Sequence, residues 1–239
     1  MSVESAEMTK HAINAFLATS VTFANEIASI CELVGADAKE VERGLKTELR
    51  IGPKAYLSPG GAFAGGTLAR DINFLNEVGS AKRLVTPLLG SVKPSNDEHK
   101  KWVKRKLLSY FPDLANASIA LWGLTYKPGT DTLRRSMAVE LCDWLIGRGA
   151  TVNVHDPVVK ELPVAWQGKV RRGDDALAVL EGVQALVVST EWPQYKEIQA
   201  SWLASAAPGV VVLDANRFLS VLAADPGIRY VAVGTPERI

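Results

Sequence analysis

Apolar residues in the first half of the chain recur at steps of three and four, the spacing of one face of an α-helix. Gly35 follows the longest of these stretches as a stop signal. Asp37 and Glu40 have the spacing of a capping box at the start of a second helix. The pattern predicts helices over residues 4–34, 39–45, 67–78, 81–89 and from 94 to about 110. No segment before residue 117 alternates like a β-strand, so the first half is predicted to be all-helical.

The pattern changes near residue 117, where short β-branched runs begin to alternate with helical segments. Strands are predicted over residues 118–122, 151–155, 185–189, 210–213 and 230–233, and helices over 137–148, 174–180 and 197–206. Strands that alternate with helices favour a parallel, doubly wound sheet. The predicted fold is therefore α/β overall, with a helical domain over residues 1–112 and a Rossmann-like domain over 113–239.

Composition and charge indicate an ordinary globular protein and give no support for a nucleic-acid-binding, membrane or metal-binding class. The 239 residues are 47% hydrophobic and 22% charged, as in an ordinary globular protein. With 27 basic and 26 acidic residues, charge gives no case for binding nucleic acid or an anionic membrane. We see no metal-ligand spacing, no signal peptide and no uninterrupted apolar run that would span a bilayer. Cys31 and Cys142 lie in apolar helical runs, so we interpret both as packing residues of a cytoplasmic protein.

A glycine-rich loop over residues 58–66 is the first candidate site. It is poor in side chains, so its backbone N–H groups can approach a ligand closely, and it leads into a predicted helix N-terminus that favours anions. By itself such a loop is more typical of a flexible connector than of a ligand site. The rest of the sequence decides between the two.

The second candidate site is the edge where the predicted strands end, which is where ligands bind in doubly wound sheets. Lys127 follows the first strand in a Tyr-Lys-Pro turn that has no folding need for a lysine, so we favour a ligand role. Arg134 and Arg135 near the next helix suit phosphate oxygens. Asp156 and Asp214 also follow strands, but turns and caps account for them better. No Gly-x-Gly-x-x-Gly fingerprint follows any strand.

Taken together, these motifs resemble the UDP-glucose/GDP-mannose dehydrogenase family. The matching pieces, in order, are Glu7-x-x-Lys10-x-x-x-Asn14, Asn25-Glu26, Cys31-Glu32, Gly35-Ala36-Asp37, Arg50-Ile51-Gly52, Tyr56-Leu57-x-Pro59-Gly60, Phe63-x-Gly65, Asp71, Gly123-Leu124-x-Tyr126-Lys127-Pro128-x-Thr130-Asp131, Asp156-Pro157, Thr190-Glu191-Trp192 and Asp214-x-Asn216-Arg217. The resemblance implies a central helical domain and a C-terminal domain that binds a nucleotide sugar. It also implies NAD-dependent oxidation of a sugar C6 alcohol to a carboxylate in two hydride transfers.

The chain departs from the family in two ways. The resemblance covers the central and C-terminal domains, so we expect the N-terminal NAD domain to be missing from this chain. The position of the family's nucleophilic cysteine, in the loop before Asp71, holds Thr67. A threonine hydroxyl is a far weaker nucleophile than a thiolate, and we interpret Thr67 as a helix N-cap rather than a catalytic group.

The resemblance also assigns roles to residues. Lys10 and Asn14 would hold the reacting sugar, although an i, i+4 pair of this kind is also typical of a solvated helix face. Asp71 would assist proton transfer and water activation, beside Thr67 in the catalytic set. Substrate-binding residues would be Tyr56, Leu57, Pro59, Gly60, Phe63, Gly65, Tyr126, Lys127, Arg217 and Arg50, the last reaching across a dimer interface. The long first helix would form a homodimer, and no metal is implied.

Three functions remain open from the sequence. The first is the substrate-binding half of a nucleotide-sugar dehydrogenase, in which the glycine loop and Lys127 hold one sugar diphosphate. The second is a non-catalytic module that binds nucleotide sugars, and the third is a dimerisation scaffold with a degenerate site. UDP-glucose, GDP-mannose and N-acetylated UDP-sugars are all compatible with the motifs.

Overall fold

The computed structural model describes residues 1–236 and contains two compact units. The helical unit comprises Met1–Trp102 and the chain from Val233, and the sheet unit comprises Val103–Ala232. This division lies ten residues before the predicted boundary at 112/113. After the sheet unit, the chain returns to the helical unit at Val233. The predicted class, helical followed by Rossmann-like α/β, is confirmed.

The helical unit contains the long helix predicted at the N-terminus. Ser2 caps it, its hydroxyl accepting from the Ser5 N–H at 3.2 Å, and Gly35 ends it in the left-handed conformation at φ 79°. Asp37 caps the second helix by accepting from the Lys39 N–H at 2.7 Å. The helices are α1 (Val3–Val34), α2 (Ala38–Thr47), α3 (Thr67–Ala81), α4 (Pro87–His99) and α5 (Trp102–Tyr110), which begins at the division.

Two predicted helices are wrong in their bounds. Residues 82–86 form a connection, and α4 starts at Pro87, where a proline costs no hydrogen bond. Pro94 does not start a helix but lies inside α4, which ends at His99 before α5 begins. Proline is common at the first position of a helix and rare in its interior, so the prediction placed a helix start at Pro94.

The side of α1 that packs in the helical unit is made of small residues. Ala15, Ala18 and Ala28 are buried, and small side chains let α3 and α4 approach closely. Large apolar residues of the same helix stay exposed, among them Phe16, at 70%, Phe23 and Ile30. By length and composition α1 also qualifies as a possible membrane span, which is weak evidence because helices of soluble cores pass the same test.

One carboxylate of the helical unit binds both the residue where the chain leaves the unit and a residue where the chain returns to it. Glu32 of α1 accepts from the Trp102 indole N–H at 2.8 Å and, on the same Oε1, from the Gly234 N–H at 2.9 Å. The Gly234 carbonyl accepts from Ala38 at 2.9 Å, and a Cβ on Gly234 would lie 2.3 Å from the Ala38 Cβ. Only glycine therefore fits this position.

The sheet unit holds six parallel strands in the order β3-β2-β1-β4-β5-β6. The strands are β1 (Ser118–Trp122), β2 (Thr151–His155), β3 (Val170–Arg172), β4 (Ala185–Val188), β5 (Val211–Leu213) and β6 (Arg229–Val231), with helices α6 (Met137–Gly147) and α7 (Ala200–Ala206). The order reverses between β1 and β4, which is the switch point where ligands bind in such sheets. Three-residue β3 was missed because it is too short for a periodic pattern. The helix predicted over 174–180 is only the short 3₁₀ turn Ala178–Leu180.

Candidate functional site

A buried carboxylate lies between the first and third helices. Asp71 of α3 has a side chain that is 1% exposed. Its Oδ2 accepts from Asn14 Nδ2 of α1 at 2.5 Å, and its Oδ1 accepts from Arg70 Nε at 3.3 Å. His11, one turn before Asn14 on α1, brings Nδ1 to 3.5 Å from the same Oδ1. The predicted pair of Asn14 and Asp71 is thus assembled, with a histidine beside it.

The surroundings of Asp71 keep it ionised. The Asn14 hydrogen bond lowers the pKa of Asp71, burial opposes it, and Arg70 and His11 lower it further. An ionised carboxylate in this position accepts hydrogen bonds from hydroxyl groups and is available as a base, and its lowered pKa makes it a weaker base than an unperturbed aspartate. Lys10, the third member of the predicted set, lies on α1 with an exposed side chain.

Thr67 is not a helix N-cap. Gly66 occupies that position without a side-chain hydrogen bond, and Thr67 is the exposed first residue of α3, one turn before Asp71. The N-cap interpretation was wrong because the helix begins at Thr67 itself, one residue earlier than a threonine cap at this position requires. Both cysteines are buried, which confirms their packing role, and burial raises the pKa of Cys31 and raises that of Cys142 to about 12.

Three buried side chains hold the glycine loop by its backbone. Gly60 donates its N–H to Asn25 Oδ1 of α1 at 2.9 Å, and His99 Nε2 of α4 donates to the Gly60 carbonyl at 2.8 Å. Asn96 of α4 accepts from the Phe63 N–H at 3.0 Å and donates to the Phe63 carbonyl at 2.9 Å. The loop is therefore fixed in place, unlike a flexible connector.

The other predicted loop residues differ in exposure. Pro59 and Gly60 are buried, Leu57 and Phe63 are half-buried, and Tyr56 and Gly65 are exposed. The Phe63 ring packs against the cluster of Ala15, Ala18, Ile72 and Val92. Arg50 is exposed and pairs with Glu48 at 2.9 Å.

In the sheet unit, the turn after β1 is packed tightly at the switch point. Gly123 has φ +86°, and a Cβ there would lie 2.4 Å from the Thr190 Cβ after β4. Thr190 Oγ1 donates to the Thr125 carbonyl at 2.7 Å, and Ser136 Oγ donates to the Leu124 carbonyl at 2.6 Å. These contacts fix both ends of the turn that carries Tyr126 and Lys127.

The basic residues predicted to bind a ligand lie at the carboxyl ends of the strands. Tyr126 and Lys127 follow β1 and are exposed, as are Arg134 and Arg135. Arg217 follows β5, is half-buried, and has φ 58°. Because β4 alone separates β1 from β5, the two strand ends lie about 10 Å apart, within the reach of one diphosphate ligand.

The two aspartates of this edge support the backbone. Asp156 accepts from the N–H groups of Leu124 at 2.7 Å and Val158 at 2.9 Å and from the Trp192 indole at 3.1 Å. Asp214 accepts from the Leu219 N–H at 2.6 Å and, through the same Oδ2, from the Tyr230 hydroxyl. The structural interpretation of both is confirmed.

The residues of this sheet do not fit a dinucleotide. Such sites carry Gly-x-Gly-x-x-Gly after the first strand and a free carboxylate after the second, for the ribose. Here the first strand leads to Gly-Leu-Thr-Tyr-Lys, and the carboxylate after β2 is Asp156, whose oxygens are already bonded. Among residues 1–236, no group of three or more His, Cys, Asp or Glu side chains is arranged to hold a metal ion.

Comparison with known families agrees with this arrangement of units. Residues 4–98 match the central domain of the UDP-glucose/GDP-mannose dehydrogenase family, and residues 120–221 match its UDP binding domain. The chain belongs to this family. The resemblance seen in the motifs is thereby confirmed.

Relatives of this dehydrogenase-family chain extend well beyond it. UDP-glucose 6-dehydrogenase TuaD of Bacillus subtilis is 31% identical over 98% of the chain and 51% of the relative, and UDP-glucose 6-dehydrogenase of Rickettsia bellii is 32% identical over 96% and 54%. A solved UDP-glucose dehydrogenase from Pyrobaculum islandicum superposes with a TM-score of 0.81 at 28% identity, covering 99% of the chain and 52% of that structure. The chain thus spans about half the length of the relatives it matches.

Three residues of the site escaped the sequence analysis. His11 was passed over, although it is three residues before Asn14 and therefore shares its helix face. Asn96 and His99 lie in the helix predicted from residue 94, but no motif marks either of them as a site residue. Their roles depend on contacts with a loop more than thirty residues away, which no local pattern reports.

Proposed function

We propose that this chain is the substrate-binding half of a nucleotide-sugar dehydrogenase that oxidises the C6 alcohol of a UDP- or GDP-sugar. The observation that carries the proposal is the buried Asp71 carboxylate bonded to Asn14, beside a glycine loop fixed by its backbone. In a family of sugar-nucleotide dehydrogenases, such a carboxylate is suited to take a proton from a sugar hydroxyl. Lys10 and Asn14 would hold the hydroxyl, and Asp71 would accept its proton.

In the sheet unit, we propose binding of the nucleotide part of a sugar nucleotide. Lys127 supplies a positive charge for phosphate, and Arg217 reaches a second phosphate or a sugar hydroxyl. In the helical unit, the loop residues Tyr56, Leu57, Pro59, Gly60, Phe63 and Gly65 would line the sugar and diphosphate. Tyr126 would lie beside the nucleotide.

The oxidant would come from outside the residues described. Since the sheet does not fit a dinucleotide, we assign NAD to a domain carried elsewhere, on a longer chain or a separate polypeptide. NAD accepts a hydride when bound there. With Thr67 in place of a thiol, we propose that oxidation in this protein stops at the aldehyde and that this chain is inactive alone.

Calorimetric titration of the chain with UDP-glucose, GDP-mannose and a UDP-N-acetyl sugar tests the binding claim. We expect one of them to bind, and Lys127→Ala to weaken it by about 10- to 100-fold through the loss of a charge-assisted hydrogen bond. Lys169→Ala is the matched control, because this exposed lysine precedes β3 at the opposite edge of the sheet. Absence of binding by all three sugars at millimolar concentration would refute the proposal.

A second candidate function is a non-catalytic or regulatory module that binds the same ligands. Thr67 and the poor fit to a dinucleotide favour it. Incubation of the chain with UDP-glucose, NAD and a separately produced NAD domain of a family relative distinguishes the two. Formation of NADH supports the dehydrogenase, whereas sugar binding without NADH supports the binding module.

We also propose a cytoplasmic homodimer with no nucleic-acid or membrane partner. Phe16, Phe23 and Ile30 are exposed on α1 at steps of seven residues, which is the repeat of a helix-pairing seam. A second α1 would cover them. Arg50, exposed near the substrate loop, would then reach the partner's ligand.

A further inference from the structure

The Asp71 carboxylate has almost no contact with solvent. Its side chain is 1% exposed, and its two oxygens face Asn14, Arg70 and His11. A group that takes up a proton in each reaction cycle must also release it. A buried carboxylate therefore needs a neighbour that exchanges protons with water.

Of the three neighbours, only one can do so near neutral pH. Asn14 does not titrate, and the guanidinium of Arg70 stays protonated at any working pH. An imidazole changes charge in the range where enzymes operate. Arg70 of α3 and His11 of α1 are the charged groups in contact with Asp71, and no charged side chain of α4, the third helix packed there, is in contact with it among the residues described.

The ring of His11 is placed for this exchange. Its Nδ1 is buried without a hydrogen-bond partner and lies 3.5 Å from Asp71 Oδ1. The side chain as a whole keeps 19% exposure, so the ring links the buried oxygen to solvent. Phe74, one turn after Asp71 on α3, lies against the imidazole with ring centroids 4.3 Å apart and a 30° tilt, which fixes its plane.

We propose that His11 is the proton-exchange partner of Asp71, a positioning residue that carries protons between the buried carboxylate and water. The inference rests on the proposed function for its purpose, because that function needs Asp71 as a base. A sugar O–H bond breaks and its proton forms an O–H bond on Asp71 Oδ1. That proton passes to His11 Nδ1, and the imidazolium releases its Nε2 proton to water. The imidazole then regains its starting tautomer by exchange with water.

Nuclear magnetic resonance tests the link without any sugar nucleotide. The chain is labelled with ¹³C-aspartate and ¹⁵N-histidine, and the Asp71 ¹³Cγ and the ring nitrogens are followed from acid to alkaline pH. Asp71→Asn and His11→Gln identify the two signals by their absence. We expect the Asp71 ¹³Cγ to move at the pH where the His11 ring titrates, and this movement to vanish in His11→Gln.

His11→Gln should also raise the pKa of Asp71, since it removes the charge of the imidazolium, which lowers that pKa. His155→Gln, which changes a histidine of the sheet unit, is the control and should leave the Asp71 profile unchanged. A melting curve for each variant establishes that it is folded. Packing alone would not couple the two titrations.

An Asp71 signal that ignores the His11 titration and is unchanged in folded His11→Gln would overturn the inference. That outcome is separate from failure of the proposed function, which is decided by sugar-nucleotide binding to the unaltered chain. Coupled titrations without sugar binding would leave the proton link standing and remove the dehydrogenase proposal.

Discussion

Asn96 offers the sharpest test of how the glycine loop is held. The side chain is 2% exposed and makes both hydrogen bonds to Phe63, one to the N–H and one to the carbonyl. Asn96→Ala removes both. The loop keeps its bonds from Gly60 to Asn25 and His99, so the change acts on one half of the segment.

The expected cost follows from the two lost bonds. Each neutral hydrogen bond contributes about 1 kcal/mol net, and leaving a poorly solvated N–H and carbonyl without partners adds a further penalty of about 1 kcal/mol. We therefore expect Asn96→Ala to lower the free energy of unfolding by about 3 kcal/mol. Domains are commonly stable by about 5–15 kcal/mol, so the variant should still fold while residues 58–66 open more often.

Urea denaturation gives the loss of stability, and hydrogen exchange read by mass spectrometry gives the opening of residues 58–66. Asn96→Asp keeps an acceptor for the Phe63 N–H but buries a carboxylate against the Phe63 carbonyl, so at neutral pH it should destabilise at least as much as Asn96→Ala. Asn76→Ala is the matched control. Asn76 bonds to the Leu89 carbonyl and to Thr86, away from the loop, so it should destabilise without faster exchange of 58–66.

The reasoning would be refuted by Asn96→Ala with native exchange in residues 58–66. It would equally be refuted if Asn76→Ala accelerated exchange there to the same extent. Either result would mean that general stability, and not these two bonds, fixes the loop.

Four further outcomes follow from the structure. Asp156→Ala should cost the sheet unit about 3 kcal/mol in urea denaturation, because several N–H groups lose their acceptor. Thr67→Cys should react with a maleimide while the buried native cysteines do not. The pKa of Asp71 is lowered in the folded chain, so its ionised carboxylate stabilises the fold above about pH 4, and this contribution declines as pH falls through the lowered pKa. Asp71→Asn should therefore reduce stability at about pH 6, and the reduction should shrink steadily as the pH is lowered. Phe16→Glu with Phe23→Glu should sediment as a monomer if the native chain is a dimer.

Three of these outcomes have a separate control. Asp174→Ala removes an exposed aspartate of the sheet unit and should change stability little. Unfolding in urea should expose the native cysteines to maleimide, so a lack of labelling there would point to a failed reagent. Val3→Glu with Leu49→Glu adds the same charge at other exposed apolar positions and should leave sedimentation unchanged. A monomeric native chain would contradict the proposed seam.

Sequence periodicity predicted the elements that are long or strongly patterned. β1 and β2 have the predicted bounds, and α1 differs by one residue, because buried β-branched runs and a capped helix leave local signals. The prediction failed where local rules conflict with packing, as at Pro94, which is tolerated inside α4.

The candidate site divides in the same way. Asn14 and Asp71 were found because motifs carry them, and they do form a hydrogen bond. The partners that complete the site, His11 and Asn96, come from α1 and α4 and meet their targets only through tertiary packing. The position of Thr67 depended on the residue at which α3 begins, which periodicity does not fix.

The helical unit consists of two separate segments of the sequence, and Glu32 bonds to both the end of the first and the start of the second. One carboxylate oxygen holds both Trp102, where the chain departs, and Gly234, where it comes back. A helical fragment cut from residues 1–112 would thus lack one ligand of that oxygen and the backbone bond from Ala38 to Gly234. Anyone dividing this protein for separate expression should instead excise the sheet unit and join residue 102 to 233 through a short linker.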